Sequence, residues 1–207
     1  MSIAAEITEL GASFFRRGLT FGRTGNISAV DADGTVLCTP TGVALDRLRP
    51  QALSRITIGG DHLDGPAPTK EAFLHLALYR ARPTARAVVH THSTHSVAVS
   101  CLRDVDRSNV LPVLTAYYAM RVGALPLLPY YAPGDPELGP TAELIAADHH
   151  ALLLANHGPI VAGAGLAEAA DALEEIEETA KVYLLLHGRA VAPVPDDEAR
   201  RLEEKYR

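Results

Sequence analysis

Two histidines placed two residues apart at the end of an apolar, β-prone run constrain this chain more than any other feature. The stretch Arg86-Ala87-Val88-Val89-His90-Thr91-His92-Ser93-Thr94-His95 predicts a buried strand that delivers His90 and His92 to one side. Residues i and i+2 of a strand share a face, so the two imidazoles start about 7 Å apart at Cα, a separation that one metal ion can bridge. Ser93 reads as the N-cap of a helix over 94–102, which turns the chain off the sheet. The pair therefore sits at a strand's C-terminal end, a common ligand position in α/β proteins. A zinc site that keeps one position open for chemistry requires a third protein ligand.

His157 meets that requirement. It follows the apolar run Ala151-Leu152-Leu153-Leu154-Ala155-Asn156 and opens the turn His157-Gly158-Pro159 into Ile160-Val161-Ala162-Gly163, so a neighbouring strand can supply it. The other six histidines, His62, His75, His95, His149, His150 and His187, lack comparable placement and read as surface or packing residues. Of these, His95 is near enough to the pair to support it from behind.

The rest of the chain supplies polar loops around these positions. Ile3, Ile7, Leu10, Phe14 and Phe15 recur at helical spacing over 3–17, and Gly18 stops that helix. The stretch Phe21 to Val30 reads as a small-residue loop running into a short strand, Asp31–Gly34 as a tight turn, and Thr35–Thr39 as the returning strand of a hairpin. The second strand ends in Pro40-Thr41-Gly42. Both loops expose backbone N–H groups beside Thr, Asn and Gly, which can cradle a phosphate and are equally ordinary turn vocabulary. Ser54–Ile58 predicts a strand, 61–68 a polar connection, and Thr69 the N-cap of a helix to about Arg80. Lys70 and Glu71 would then lie at the positive end of that helix dipole, where an anion is favoured. Glu71 is open to two readings, an acid/base group or an ordinary first-turn carboxylate. Further on, Val110–Leu114 and Ala124–Leu128 predict short strands, 140–148 and 166–187 helices, and the end of the chain a charged segment.

Composition narrows the function classes. With 207 residues and 47% hydrophobic content, the chain can bury one sizeable core, a single domain over 1–207. A net charge of −6 argues against a nucleic-acid surface, so an anionic substrate must be held by local donors. There is no run of 18 apolar residues, which argues against a membrane protein and for a soluble, cytoplasmic one. Cys38 and Cys101 show no motif spacing and read as buried free thiols.

Together these motifs carry a resemblance. Gly25-Asn26-Ile27-Ser28, Pro40-Thr41-Gly42, Thr69-Lys70-Glu71, His90-Thr91-His92 and Asn156-His157-Gly158 occur in the order and spacing of the zinc-dependent class II aldolase/adducin family. The match runs from roughly residue 5 to 190. Within the family the chain most resembles the 3-oxo-tetronate 4-phosphate decarboxylases, on Thr69-Lys70-Glu71 (sugar-phosphate aldolases tend to have Ser-Ser-Glu), on His90 to His95, and on the stretch Leu114 to Gly123.

The resemblance implies an α/β fold, three-layer α/β/α around a mostly antiparallel sheet, assembled as a homotetramer with interfacial active sites. It implies one zinc ion per subunit on His90, His92 and His157, with Glu71 as acid/base. Asn26, Thr41, Gly42, Thr69 and Lys70 would bind the phosphate of a small sugar or sugar-acid substrate. The family's aldolases also take a tyrosine proton donor from a neighbouring subunit. That position falls on Thr115 or Ala116 here, leaving Tyr117 and Tyr118 as candidates. The implied reaction is loss of CO₂ from 3-oxo-tetronate 4-phosphate to give dihydroxyacetone phosphate through a zinc-stabilised enediolate. Retro-aldol cleavage of a sugar phosphate is the alternative, and a non-catalytic adducin-like binding module a further one.

Overall fold

Strand alternation and helical periodicity converge on one sheet with helices on both faces. The computed structural model describes residues 1–206. In chain order its elements are α1 (Ile3–Arg16), β1 (Asn26–Val30), β2 (Val36–Cys38), β3 (Ser54–Ile56), β4 (His62–Asp64), α2 (Ala72–Ala81), β5 (Ala87–His90) and α3 (Thr94–Ser100). There follow α4 (Ala116–Arg121), β6 (Leu127–Leu128), α5 (Leu138–Ala146), β7 (Ala151–Leu154), β8 (Gly158–Gly163), α6 (Leu166–Leu185) and α7 (Asp196–Tyr206). The strand order is β4-β3-β2-β1-β5-β8-β7-β6, antiparallel throughout except for the β6–β7 pair. The three-layer, mostly antiparallel architecture expected from the sequence is the one observed.

The two-residue period of each strand decides which layer a side chain enters. Ile27 and Ala29 of β1, Ala87 and Val89 of β5, and Val161 of β8 pack with Phe14 of α1, Val99 of α3, Tyr118 of α4 and Leu173 and Ile176 of α6. Val88 of β5 and Ile160 and Ala162 of β8 point the other way, onto Leu74 and Leu78 of α2 and Leu138 and Ala142 of α5. Truncating a fully buried side chain such as Phe14 or Leu74 to alanine costs about 3 kcal/mol. Asn26 and Ser28 alternate with Ile27 and Ala29, and His90 follows Val89, so all three polar residues face the α2 layer. The register pairs Asn26 with His90 directly.

Several expectations are corrected. Thr69 does not cap α2. Its N–H donates to the Thr39 carbonyl at 3.0 Å and Pro40 bridges to Pro68, so residues 68 and 69 are held extended against the 39–41 segment. The helix starts only after this pairing ends, at Ala72 with Glu71 as N-cap, and Lys70 and Glu71 form a turn before it. Ser93 precedes α3 without capping it through its side chain. Glu177 of α6 takes that role, accepting from the N–H groups of His95 at 3.0 Å and Ser96 at 2.9 Å.

The expected strand at 110–114 is absent, and of 124–128 only Leu127–Leu128 pairs, because Pro112 and Pro126 remove ladder donors. Strand β4 lies within the expected polar connection. It is exposed along its whole length and so lacks the apolar alternation by which strands are read. The charged C-terminal segment is helical, α7, and packs on α4. Cys38 is buried as expected, whereas Cys101 is exposed at the end of α3. Among the described residues no helix is long and apolar enough to cross a membrane.

Candidate active site

His90 ends β5 and His92 lies two residues beyond it, before α3 begins. Their ring centroids are 5.0 Å apart. His157 comes in from the β7–β8 connection, where its N–H closes a turn onto the Leu154 carbonyl at 3.1 Å. That turn needs a left-handed residue, and Asn156 supplies it with φ 57°. Gly158 follows at φ 149°, and a Cβ there would run into the Thr91 carbonyl, so glycine lets β8 pass close to the segment carrying His92. The His157 ring lies 4.8 Å from that of His90 and 4.5 Å from that of His92. One nitrogen from each of the three falls within 4.8 Å of the others, a group that could hold a metal ion.

Two observations fit these residues to a metal. His90 Nδ1 lies 2.8 Å from the Pro159 carbonyl oxygen, which can only accept, so Nδ1 carries the proton and Nε2 presents its lone pair. His90 Nε2 is buried without a hydrogen-bond partner. A buried nitrogen lone pair left unpaired beside two further imidazoles is the electronic requirement of a metal ligand. Burial lowers the pKa of His90 to about 4, and burial together with the neighbouring imidazoles lowers that of His92 to about 3. Burial thus favours the neutral form of both imidazoles, the form that keeps a lone pair for a metal ion.

Glu71 sits on the open side of this triad. Its Oε1 is 3.2 Å from His157 Nε2 and its Oε2 3.6 Å from His90 Nε2. Asn26 donates Nδ2–H to Oε2 at 2.7 Å. Burial alone would raise the Glu71 pKa, but at the acid pH where its carboxyl titrates the then-protonated His90 and the hydrogen bonds from His157 and Asn26 outweigh it, holding the carboxyl well below its ordinary range.

Together with Glu71, His92 and His157, a cleft of about 420 Å³ is lined by Gly25 and Asn26, Thr41 and Gly42, Thr69 and Lys70. The residues expected to hold metal and phosphate are thus gathered in one place, from five separate stretches of chain. Gly42 has φ 74°, the left-handed conformation its turn requires. The cleft also contains Asn156, from the motif around His157, and Arg23, Tyr130 and Tyr131, which the sequence did not single out. Arg23 lies two residues before Gly25 in the same loop, a proximity that could have marked it.

Tyr117 and Tyr118 are separated by α4. Tyr118 is fully buried in the core, while Tyr117 is 59% exposed and outside this chain's cleft. His95 bonds Glu177 through Nδ1 at 2.8 Å rather than a metal-binding histidine. The histidine behind the site is His75, 1% exposed, with Nε2 2.5 Å from Asn26 Oδ1. Its signal was the spacing Glu71, His75, Tyr79, every fourth residue of one helix face, over Asn26 and Ser28 of one strand face.

This arrangement has close relatives. The family model for the class II aldolase and adducin N-terminal domain matches residues 5–184. The chain belongs to this family. A 3-oxo-tetronate 4-phosphate decarboxylase of Escherichia coli K12 is 49% identical over 190 residues, 92% of this chain and 90% of that one. An L-fuculose phosphate aldolase of the same strain is 34% identical over 209 residues, 99% of this chain and 94% of that one. Among solved structures of the family, YgbL from Escherichia coli superposes with a TM-score of 0.94 at 46% identity, covering 97% of each chain.

Proposed function

We propose that this chain, as one domain, is a carbon–carbon lyase that removes CO₂ from 3-oxo-tetronate 4-phosphate. The observation that carries the reading is the graded likeness: 49% identity to a protein named for that decarboxylation against 34% to one named for fuculose phosphate cleavage, over comparable lengths.

In this reading His90, His92 and His157 hold one zinc ion per chain. When bound, zinc supplies a Lewis acid at the substrate carbonyl with its charge undiminished by three neutral ligands. The phosphate lies across Thr41, Gly42 and Thr69, where a hydroxyl or a turn N–H can donate, with Lys70 as the cation. Asn26 contributes its second amide hydrogen, since the first is given to Glu71. Arg23 adds a guanidinium suited to bidentate phosphate binding.

Loss of CO₂ leaves an electron pair on carbon, and a proton must reach that carbon to complete dihydroxyacetone phosphate. Glu71 is the carboxylate facing the space in front of the three imidazoles, and once protonated it is placed to deliver that proton. The exposed Tyr117 suits a donor offered to a neighbouring subunit's cleft in a homotetramer, and the enzyme works in the cytoplasm.

Assay of the purified zinc-loaded protein for CO₂ release from 3-oxo-tetronate 4-phosphate, and for aldehyde release from L-fuculose 1-phosphate, tests the reading. Fast CO₂ release with slow or absent aldehyde release is expected. Efficient aldehyde release with no CO₂ would decide for an aldolase, and neither product would overturn both.

A further inference from the structure

Behind Glu71 a row of buried polar groups starts at Asn26, on the cleft wall, and runs inward between α2 and β1. Asn26, Ser28, His75 and Tyr79 are all 4% exposed or less. Their contacts form one unbranched line: Tyr79 hydroxyl to Ser28 Oγ at 2.9 Å, Ser28 Oγ to His75 Nδ1 at 2.7 Å, His75 Nε2 to Asn26 Oδ1 at 2.5 Å, and Asn26 Nδ2 to Glu71 Oε2 at 2.7 Å.

Chemistry orients every link. An ionised carboxylate only accepts, so the Asn26 atom facing Glu71 is the amide nitrogen. Its oxygen, which also only accepts, then faces His75, whose Nε2 must carry a proton. A neutral imidazole has one N–H, so Nδ1 is bare and receives the Ser28 hydroxyl proton, and Ser28 in turn accepts from Tyr79. Burial holds the His75 pKa down at about 4, in keeping with a neutral ring. Each group therefore donates toward Glu71, and in a low-dielectric interior such a chain polarises cooperatively.

We propose that His75, held by Ser28 and Tyr79, is a positioning residue that fixes the Asn26 amide with its N–H toward Glu71 and thereby aims the Glu71 carboxylate for proton transfer. Without the His75 donor, the amide loses its anchor at Oδ1 and can tilt, taking its N–H out of line with the carboxylate. Glu71 would then swing away from the reacting carbon, while the three metal-binding imidazoles and the phosphate loops stay in place. The inference rests on the reading of Glu71 as the proton-transfer group, and it predicts a defect in kcat that exceeds any change in KM, with metal content preserved.

The test compares the zinc-loaded wild-type protein with His75→Phe, His75→Gln, Tyr79→Phe and Glu71→Gln, reading kcat, KM and bound zinc with 3-oxo-tetronate 4-phosphate. His75→Phe keeps ring volume and is expected to lower kcat ten- to a hundredfold, as loss of a residue that orients a site residue does. His75→Gln retains an N–H for Asn26 and a carbonyl for Ser28, and is expected to recover most of that loss. Tyr79→Phe is expected to lower kcat severalfold and carries the kinetic decision should His75→Phe not fold. In ¹⁵N-histidine spectra of the wild-type protein, His75 is expected as the Nε2–H tautomer. Normal kcat in His75→Phe beside a large loss in Glu71→Gln would overturn the proposal alone, as would the Nδ1–H tautomer. Normal turnover in Glu71→Gln would overturn the reading of Glu71 and the proposal with it.

Discussion

His90 donates its Nδ1 proton to the Pro159 carbonyl across 2.8 Å, a bond between adjacent strands that leaves Nε2 buried and unpaired. The pairing of β5 with β8 sets the Pro159 carbonyl beside His90, and the bond to it leaves Nε2 facing the other two imidazoles and Glu71, whose Oε2 is 3.6 Å away. The strand pairing thus prepares the lone pair that a metal would take.

The first prediction concerns that metal. Alanine at His90, His92 or His157 removes one of the three clustered imidazole nitrogens. Each variant is expected to lose most of its zinc and its activity, measured by elemental analysis after dialysis. Stoichiometric zinc in His92→Ala would remove this residue from the ligand set.

Glu71 is the second. Glu71→Gln keeps the side chain's size and can still bond His157 and Asn26 through one oxygen, but it cannot exchange a proton. Folding, zinc content and phosphate affinity are expected to persist while turnover falls roughly 10²–10⁴-fold. A variant with near-normal kcat would return Glu71 to the role of an ordinary residue preceding a helix.

Acid should destabilise the metal-free protein in a defined window. His75 and His90 have pKa values lowered to about 4 and His92 to about 3, each from an ordinary 6.5. Between these limits the unfolded chain binds more protons than the folded one, so stability rises with pH. It is fully present above about 6.5 and is lost as pH falls toward 4. Each histidine contributes a slope of up to about 1.4 kcal/mol per pH unit. Urea unfolding of the metal-free protein is expected to show a loss on the order of 5 kcal/mol between pH 7 and 5, with His75→Gln reducing it by about a third. Equal stability at the two pH values would contradict the burial of these imidazoles.

The carboxylate of Glu177 receives four donors, the N–H and Nδ1 of His95 and the N–H and hydroxyl of Ser96. Glu177→Ala strands two helix N–H groups and is expected to cost about 3 kcal/mol, measured as a fall in unfolding free energy. A change below about 0.5 kcal/mol would mean that Ser93 or water takes over the cap.

Glu177 also illustrates where sequence reasoning stops. Ser93 has the right residue type in the right place to cap α3, and local patterns cannot reveal that a carboxylate 81 residues away from Ser96 reaches the same N–H groups first. His75 was misjudged for a related reason. Its role depends on α2 lying over β1, a tertiary fact, although the fourfold spacing with Glu71 and Tyr79 was present to be seen. The clustering of His90, His92 and His157 was legible because the chemistry it suits coincides with local geometry: an i,i+2 pair at a strand end, and a histidine at a tight turn. The Thr69 cap failed because pairing of Thr39 with Thr69 outweighs helix propensity at a chain crossing. The shared face of His90 and its strand neighbours, by contrast, was legible, since a buried sheet leaves each residue only two directions.

The last prediction concerns Lys70, which is exposed, lines the cleft and forms no ion pair with any described residue. Family members that cleave sugar phosphates tend to carry a neutral hydroxyl residue here. A full cation at this position suits a substrate with more negative charge, and a 3-oxo acid phosphate carries a carboxylate as well as a phosphate. A charge-assisted hydrogen bond to either group contributes about 1.5–3 kcal/mol, roughly ten- to a hundredfold in kcat/KM. Lys70→Ser is expected to reduce kcat/KM for 3-oxo-tetronate 4-phosphate by that factor and to leave any turnover of L-fuculose 1-phosphate less affected, so the preference between them narrows. Raising the ionic strength should weaken the wild-type enzyme's KM and have a smaller effect on the variant, because a cation in an open cleft is screened. An unchanged substrate preference in Lys70→Ser would make Lys70 a solvated lysine at the cleft's rim.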